Sequence, residues 1–120
     1  MNRDIDIRAT LHEETLVVAV RGELDIYTAP DLRGLVLDAI RAGREAVVLD
    51  LRETTFLDST ALGVIIAVMK ELRARGGRFV LVNDRRSISK TLAITGLDHL
   101  LPVTTDLDEA LALARDVAAG

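Results

Sequence analysis

Short apolar segments recur along the chain and predict β-strands. Apolar residues alternate with polar ones over residues 5–9, and an apolar run covers residues 16–20 after a polar turn. These two segments predict a hairpin of antiparallel strands. The runs at residues 46–51 and 78–82 are almost wholly apolar, which is typical of strands covered on both faces. A further short strand or extended connection is predicted at residues 100–103.

Segments with helical periodicity lie between and after these strands. Residues 22–25 break the strand pattern, and the first helix then begins near Thr28, which can cap it. One apolar stripe at helical spacing follows, made of Leu32, Leu35, Val36, Ala39 and Ile40. Further helices are predicted over residues 59–75 and 87–95, and a last one starts at Thr105.

The order of these elements predicts an α/β fold. The succession of strand, helix and strand between residues 46 and 82 favours a right-handed crossover that joins parallel strands. We therefore expect one domain over residues 1–120, with a mixed β-sheet of four to five strands and about four α-helices packed against it. A chain of 120 residues has little room for a second domain.

Composition and charge exclude several classes of function. The chain has no cysteine, which rules out disulfides and thiolate metal sites, and its formal net charge of −4 disfavours direct nucleic-acid binding. The adjacent Arg85 and Arg86 are interpreted as a solvated surface pair. The longest apolar run, residues 64–69, is far shorter than the roughly 20 residues of a membrane span. Residues 1–6 contain no apolar signal segment, so we expect a cytoplasmic protein. We also expect neither a cofactor nor a bound metal.

Residues 56–63 contain the candidate chemistry. Asp58, Ser59 and Thr60 follow a buried strand at the point where the second helix begins. Helix N-termini expose unpaired amides with partial positive charge, so a phosphate on Ser59 would be tolerated there. The simpler interpretation, that Asp58 or Ser59 only caps the helix, explains the same pattern.

The second helix is apolar around almost its whole circumference over residues 61–69. Such a helix is either fully buried or presents an apolar edge to a partner. Under the second interpretation, Ala61, Leu62, Val64 and Ile65 in its first turns are candidate partner-binding residues. The interpretation as core alone remains open.

Three segments together resemble the STAS domain of bacterial anti-sigma factor antagonists. They are GELDIYTAP at residues 22–30, FLDST followed by LGV within residues 56–64, and ITGL at residues 94–97. The resemblance implies that Ser59 is phosphorylated by an anti-sigma factor with a histidine-kinase-like ATPase fold. Phosphorylation would end the binding of this chain to that anti-sigma factor, and a serine phosphatase would restore the binding. It also implies that Asp25, Asp58 and Thr60 surround the phosphorylation site, and that Glu23 and Asp25 join the partner-binding residues.

One position departs from the family pattern. Ala61 stands where a glycine is usual, and a methyl group facing the kinase would slow phosphorylation. A STAS docking subunit of a transporter or signalling scaffold, without phosphorylation, is the alternative function.

Two other classes of protein fit less well. A receiver domain would use Asp50, but it also needs an acidic pair after its first strand and a lysine after a late strand. Here the first strands are predicted to form a hairpin, and Lys70 and Lys90 lie within predicted helices. A hydrolase would need Ser59 with His12 or His99, yet no nucleophile-elbow pattern surrounds the serine. We therefore expect no catalytic residue and no enzyme.

Overall fold

Six strands form one mixed sheet in the computed structural model, which describes residues 5–119 and the side chains of residues 5–115. The strands are β1 (Ile5–His12), β2 (Thr15–Leu24), β3 (Ala46–Asp50), β4 (Thr54–Leu57), β5 (Arg78–Val82) and β6 (Val103–Thr104). The helices are α1 (Ala29–Arg41), α2 (Ser59–Ala74), α3 (Arg86–Thr95) and α4 (Leu107–Ala119), with a short 3₁₀ turn at Leu97–His99. The α/β class and the mixed sheet are confirmed.

The sheet has the order β1-β2-β3-β5-β6, and β4 extends it along β2. β1 and β2 form the predicted antiparallel hairpin, in register from Ile5 opposite Gly22 to His12 opposite Thr15. The pairs β2–β3, β3–β5, β5–β6 and β2–β4 are parallel. The carboxyl ends of β2, β3, β4 and β5 therefore lie at one end of the sheet.

The strand β4 was not predicted as a separate element. β3 pairs with β2 as far as Ala19, and β4 resumes pairing with β2 from Gly22 onward. The hydroxyl of the buried Thr54 donates a hydrogen bond of 2.8 Å to the carbonyl oxygen of Val20. A register shift between Gly22 and Glu23 accompanies this change of partner. The break in the strand pattern expected at residues 22–25 therefore comes later, because β2 continues to Leu24 before the chain leaves the sheet.

Both faces of the sheet are covered, as the apolar runs predicted. Alternate residues such as Val18, Val47 and Leu49 pack with α1, α2 and α3 in the larger core. The intervening residues, among them Val48 and Val80, pack against α4 in a smaller core. This two-sided burial explains why the central strands are almost continuously apolar.

Element ends differ from the predicted ones by a few residues. The helix α3 begins at Arg86 rather than Ser87, and α4 begins at Leu107 rather than Thr105. The last strand is only Val103–Thr104. Thr28 occupies the N-cap position of α1, but its side chain makes no cap hydrogen bond, so the predicted capping role is wrong.

Candidate functional site

The candidate residues meet where β2 and β4 end and where α1 and α2 begin. Glu23 lies opposite Phe56 and Leu24 opposite Leu57 in the parallel pair. The amide of Asp58 donates to the carbonyl oxygen of Leu24 at 3.3 Å. Residues distant in sequence are thereby held side by side at the carboxyl end of the sheet.

The carboxylate of Asp58 links two segments of the chain. One oxygen accepts the amide of Ala61 at 2.9 Å, which makes Asp58 the N-cap of α2. The other oxygen accepts the amide of Ile26 at 3.0 Å, across 32 positions of sequence. The start of α2 is therefore connected directly to the loop of residues 25–28, here called the β2–α1 loop.

Asp25 organises the β2–α1 loop from within. One of its carboxylate oxygens accepts the amides of Tyr27 at 2.9 Å and Thr28 at 3.0 Å. The Thr28 hydroxyl lies 3.1 Å from the same oxygen and 2.9 Å from the carbonyl oxygen of Glu23, and it accepts the Asp25 amide at 2.9 Å. These contacts account for the Thr28 side chain, which is buried in the loop and not used as a helix cap.

The same contacts set the protonation of Asp25. Desolvation acts to raise the pKa of its carboxyl group, but the hydrogen bonds from the Tyr27 amide and from the hydroxyl and amide of Thr28 together outweigh it. The pKa of Asp25 is therefore lowered, and the group is an anion at neutral pH.

Ser59 is the first residue of α2, and its side chain is exposed. Asp58 accepts the amides of Ala61 and Leu62, the first through its carboxylate and the second, at 3.1 Å, through its backbone carbonyl. Among the described residues, the Ser59 hydroxyl and the amides of Ser59 and Thr60 have no hydrogen-bond partner. A phosphate on Ser59 would find these two amides within the first helical turn. Thr60 itself is half-buried.

The structure corrects the predicted partner-binding face of α2. Ala61, Val64 and Ile65 are buried in the core, since α2 packs against both the sheet and α1. They cannot contact a partner directly. The methyl group of Ala61 is fully buried and faces the core, so it adds nothing to the surface next to Ser59.

The accessible apolar face of α2 is offset by about one residue position from the buried face that contains Ala61, Val64 and Ile65. It is here called the α2 stripe, and it consists of the half-buried Leu62, Ile66 and Ala67 and the exposed Gly63. Ser59 lies three and four positions before Leu62 and Gly63, so the serine continues the stripe at its N-terminal end. Of the predicted apolar set, only Leu62 belongs to this surface.

Exposed apolar side chains in the β2–α1 loop and on β4 were missed in the sequence. Tyr27 is 77% exposed, Ile26 58% and Phe56 48%, and they lie in the β2–α1 loop and on β4. Exposed aromatic and aliphatic side chains of this size favour interaction with a partner. Their signal was present in the sequence: Ile26 and Tyr27 are apolar residues in a loop, where neither strand nor helix periodicity requires them.

Charged groups elsewhere do not form a comparable site. A cleft of about 540 Å³ on the other face is lined by charged residues, including Asp50 and Arg52, which pair at 2.8 Å. No group of three or more potential metal ligands occurs among the residues that the structure describes. His12 ends β1 and His99 lies in the 3₁₀ turn, so neither is on an element that forms the Ser59 site. No helix in residues 5–119 has the length and apolar character to span a membrane.

Comparisons with known proteins identify the fold. The family model described as "STAS domain" matches residues 6–110. The anti-sigma-B factor antagonist of Bacillus subtilis is 29% identical over 104 residues, which cover 87% of this chain and 93% of that protein. These names belong to regulatory proteins, which agrees with the prediction that the chain is not an enzyme.

Solved structures give the same result. The crystal structure of an anti-sigma factor antagonist from Mycobacterium paratuberculosis has 32% sequence identity and a TM-score of 0.86, with 92% of this chain and 94% of that chain covered. The structure of the Bacillus cell fate determinant SpoIIAA in its phosphorylated form has 27% identity and a TM-score of 0.73, covering 92% of this chain and all of that one.

Proposed function

This chain belongs to the STAS domain family, and we propose that it is an anti-sigma factor antagonist switched by phosphorylation of Ser59. The unphosphorylated form binds an anti-sigma factor and thereby frees the sigma factor. Phosphorylation of Ser59 ends this binding. The similarity to anti-sigma factor antagonists supports the antagonist role, and the surroundings of Ser59 support the switch.

The observation that carries the proposal is the position of the Ser59 hydroxyl. It is exposed at the start of α2, next to two unpaired backbone amides, and it adjoins an accessible apolar surface. This surface comprises the α2 stripe and the side chains of Ile26, Tyr27 and Phe56. A helix start can accept a phosphate without unfolding, so modification changes the surface and leaves the fold intact.

Phosphorylation would make this surface unfavourable to bury. A phosphoserine carries nearly two negative charges, and they would be added directly after Asp58, whose carboxylate bonds to the loop that contains Asp25. A partner that covers the neighbouring apolar side chains must remove water from this anionic cluster. Such desolvation without compensating cations costs several kcal/mol in general.

The partner follows from the family. The proposed binding partner is an anti-sigma factor with a histidine-kinase-like ATPase fold that also acts as the serine kinase. It would supply ATP, metal ion and catalytic base, since this chain needs only to present a hydroxyl group. A serine phosphatase would reverse the modification. Glu23, which is exposed beside Phe56, and Asp25 lie at the edge of the surface that this partner would contact.

Intact-mass spectrometry of the protein from its native cells tests the switch. We expect a fraction of the protein to carry one phosphate that maps to Ser59 and is removed by a serine phosphatase. A Ser59→Ala variant should lose the modification completely, whereas the matched Thr60→Ala variant should retain it. A protein unmodified in both growing and stressed cells would contradict the switch and favour the docking-subunit alternative.

A further inference from the structure

β1 is an open edge of the sheet. It pairs with β2 on one side only, and no described strand lies on its other side. Most of its eight residues are exposed. Open edges present unpaired amides and carbonyl groups, which makes them templates for pairing with another strand.

The hairpin register determines which backbone groups face outward. Only Glu13 and Glu14 separate His12 from Thr15, so the pair that closes this two-residue turn is hydrogen-bonded. Hydrogen-bonded and non-hydrogen-bonded pairs alternate along an antiparallel ladder. The even-numbered residues of β1 therefore bond to β2, and the free amides and carbonyls belong to Ile5, Ile7, Ala9 and Leu11.

We propose that a second copy of this chain pairs antiparallel with β1, about a two-fold axis at Ile7. In this register Ile7 meets Ile7 of the second copy in a hydrogen-bonded pair. Asp6 then lies opposite Arg8 of the second copy, twice by symmetry. Both charged side chains are substantially exposed and already share one sheet face, where they pair within the strand at 2.9 Å. In the dimer, this pair and its symmetry copy lie on adjacent strands and form a square cluster of four charges that alternate in sign.

The neighbouring registers are less favourable. An axis at Arg8 gives the longer overlap, but it places the two Arg8 side chains directly opposite each other. An axis at Ala9 places Arg8 opposite the uncharged Thr10, so the pairing of Asp6 with Arg8 across the interface is lost. Opposite charges stabilise cross-strand pairs and like charges destabilise them, so charge complementarity selects the axis at Ile7.

The opposite sheet face supports the same register. Ile5 and Ile7 are partly buried against the larger core. Pairing about Ile7 places Ile5 opposite Ala9 of the second copy and brings the two Ile7 side chains together. The apolar row at the edge of one core is thereby continued into the other copy. The dimer leaves Ser59 and the α2 stripe outside the interface, so the proposal does not depend on the function proposed above.

Sedimentation analysis of charge variants tests the pairing. Because the contact is short, we expect a weak dimer with a Kd on the order of 0.1 mM. Asp6→Arg and Arg8→Glu should each weaken the dimer by about tenfold, since like charges then meet at two places. The double variant Asp6→Arg with Arg8→Glu restores opposite charges and should recover wild-type affinity. An axis at Arg8 would instead leave the Asp6→Arg variant unchanged.

Cysteine cross-linking tests the register, because the chain has no cysteine of its own. An Ile7→Cys variant should form a disulfide-linked dimer on mild oxidation, since Cα atoms in such a pair lie about 5.5 Å apart. The matched Ala9→Cys variant should remain uncross-linked, because residue 9 then faces residue 5. The proposal is wrong if the wild-type protein stays monomeric up to about 1 mM, or if Ala9→Cys cross-links and Ile7→Cys does not.

Discussion

Two strand-to-helix junctions lie at the same end of the sheet, and each presents an exposed serine in the first turn of its helix. Ser59 follows β4 at the start of α2, and Ser87 follows β5 at the start of α3. Both serines meet the sequence criterion of a hydroxyl group at a helix N-terminus. The junctions differ in what their polar side chains bind and in the charge that surrounds each serine.

The side-chain hydrogen bonds of Asn83 stay within the α3 junction, and Arg85 donates from Nε to the carbonyl oxygen of Arg52 at 2.8 Å. The buried Asn83 accepts the Arg85 amide at 3.0 Å, and it donates to the Arg85 carbonyl at 3.2 Å and to the Ser89 hydroxyl at 2.9 Å. Asp58, in contrast, reaches across to Ile26 in the β2–α1 loop. The Asn83 side chain thus bonds only within its own segment, whereas the Asp58 side chain joins the start of α2 to a loop that exposes apolar side chains.

The charges also differ in sign. Ser87 follows Arg85 and Arg86 and precedes Lys90, so a phosphate there would be neutralised. Ser59 directly follows Asp58, whose carboxylate bonds to the loop that contains Asp25, so a phosphate there would add negative charge to an acidic cluster. A serine at a helix start is therefore not a switch by itself. Its effect on binding depends on the charge and the apolar surface beside it.

Substitution of each serine by a charged residue should give the largest difference in binding affinity between the two junctions. We expect Ser59→Asp to weaken binding to the anti-sigma factor by about a hundredfold, because a buried interfacial charge is left unpaired. Ser87→Asp, the matched change at the other junction, should alter binding by less than about twofold. Isothermal titration calorimetry with the purified anti-sigma factor measures both. Equal losses at the two positions would contradict the assignment of the surface.

Truncation of exposed apolar side chains is expected to have the next largest effect. Tyr27 is 77% exposed near Ser59, and Ile94 is 75% exposed on α3. Tyr27→Ala should weaken binding about thirtyfold, as expected for an aromatic residue at the centre of an interface, while Ile94→Ala should have no effect. Both variants should retain wild-type stability, since neither side chain is buried. Loss of binding in Ile94→Ala alone would move the interface to α3.

The sequence allowed the sheet and helices to be predicted because most of the core follows simple periodicity. The central strands are apolar on both faces, and α1 carries one clear stripe. β4 escaped prediction because it continues the line of β3 along β2 after a short break, and its exposed residues dilute the pattern. The alternation of apolar and polar residues within one strand does not show where a neighbouring strand, here β2, changes its pairing partner from β3 to β4.

The site was only partly predictable for a related reason. The position of Ser59 at a helix start and its acidic neighbours are visible as local sequence motifs. The side of α2 that faces solvent, however, depends on how α1 and the sheet cover the helix. An almost wholly apolar helix gives no periodic signal for that choice. The bond between Asp58 and Ile26 joins positions 32 residues apart, and no local pattern indicates it.

Removal of the two junction side chains should separate stability from binding. Asp58→Ala removes a helix cap and the bond to Ile26, and we expect it to lower the free energy of unfolding by about 1–2 kcal/mol. Asn83→Ala removes three hydrogen bonds of a buried side chain and should cost about 1–3 kcal/mol. Only Asp58→Ala should also weaken binding of the folded protein to the anti-sigma factor. Affinity is measured in parallel with urea unfolding. A comparable loss of affinity in Asn83→Ala would contradict the functional difference between the junctions.

Glycine replacement in the helices gives a smaller effect. Gly63 on the α2 stripe and Gly34 on α1 both have open space where a Cβ atom would lie. Alanine at either position should raise the free energy of unfolding by about 0.5–1 kcal/mol through helix propensity. Gly63→Ala should nevertheless weaken binding severalfold, because its methyl group lies where the partner packs. Gly34→Ala is the control, and an equal change in affinity for both would exclude the stripe from the interface.

The pH dependence of stability should show the smallest difference between the junctions. Because the folded-state pKa of Asp25 is lowered from its usual value of 3.8, its carboxylate stabilises the fold fully above that pH. This contribution is lost as pH falls through the lowered folded-state pKa. Urea unfolding from pH 7 to pH 2 should therefore show the advantage of wild type over Asp25→Asn shrinking in the acidic range. Asn83, which organises the other junction, carries no ionisable group, so the cost of Asn83→Ala should stay constant over the same range. A constant cost for Asp25→Asn as well would mean that the charge of Asp25 does not hold the β2–α1 loop, and that its hydrogen-bond geometry alone does.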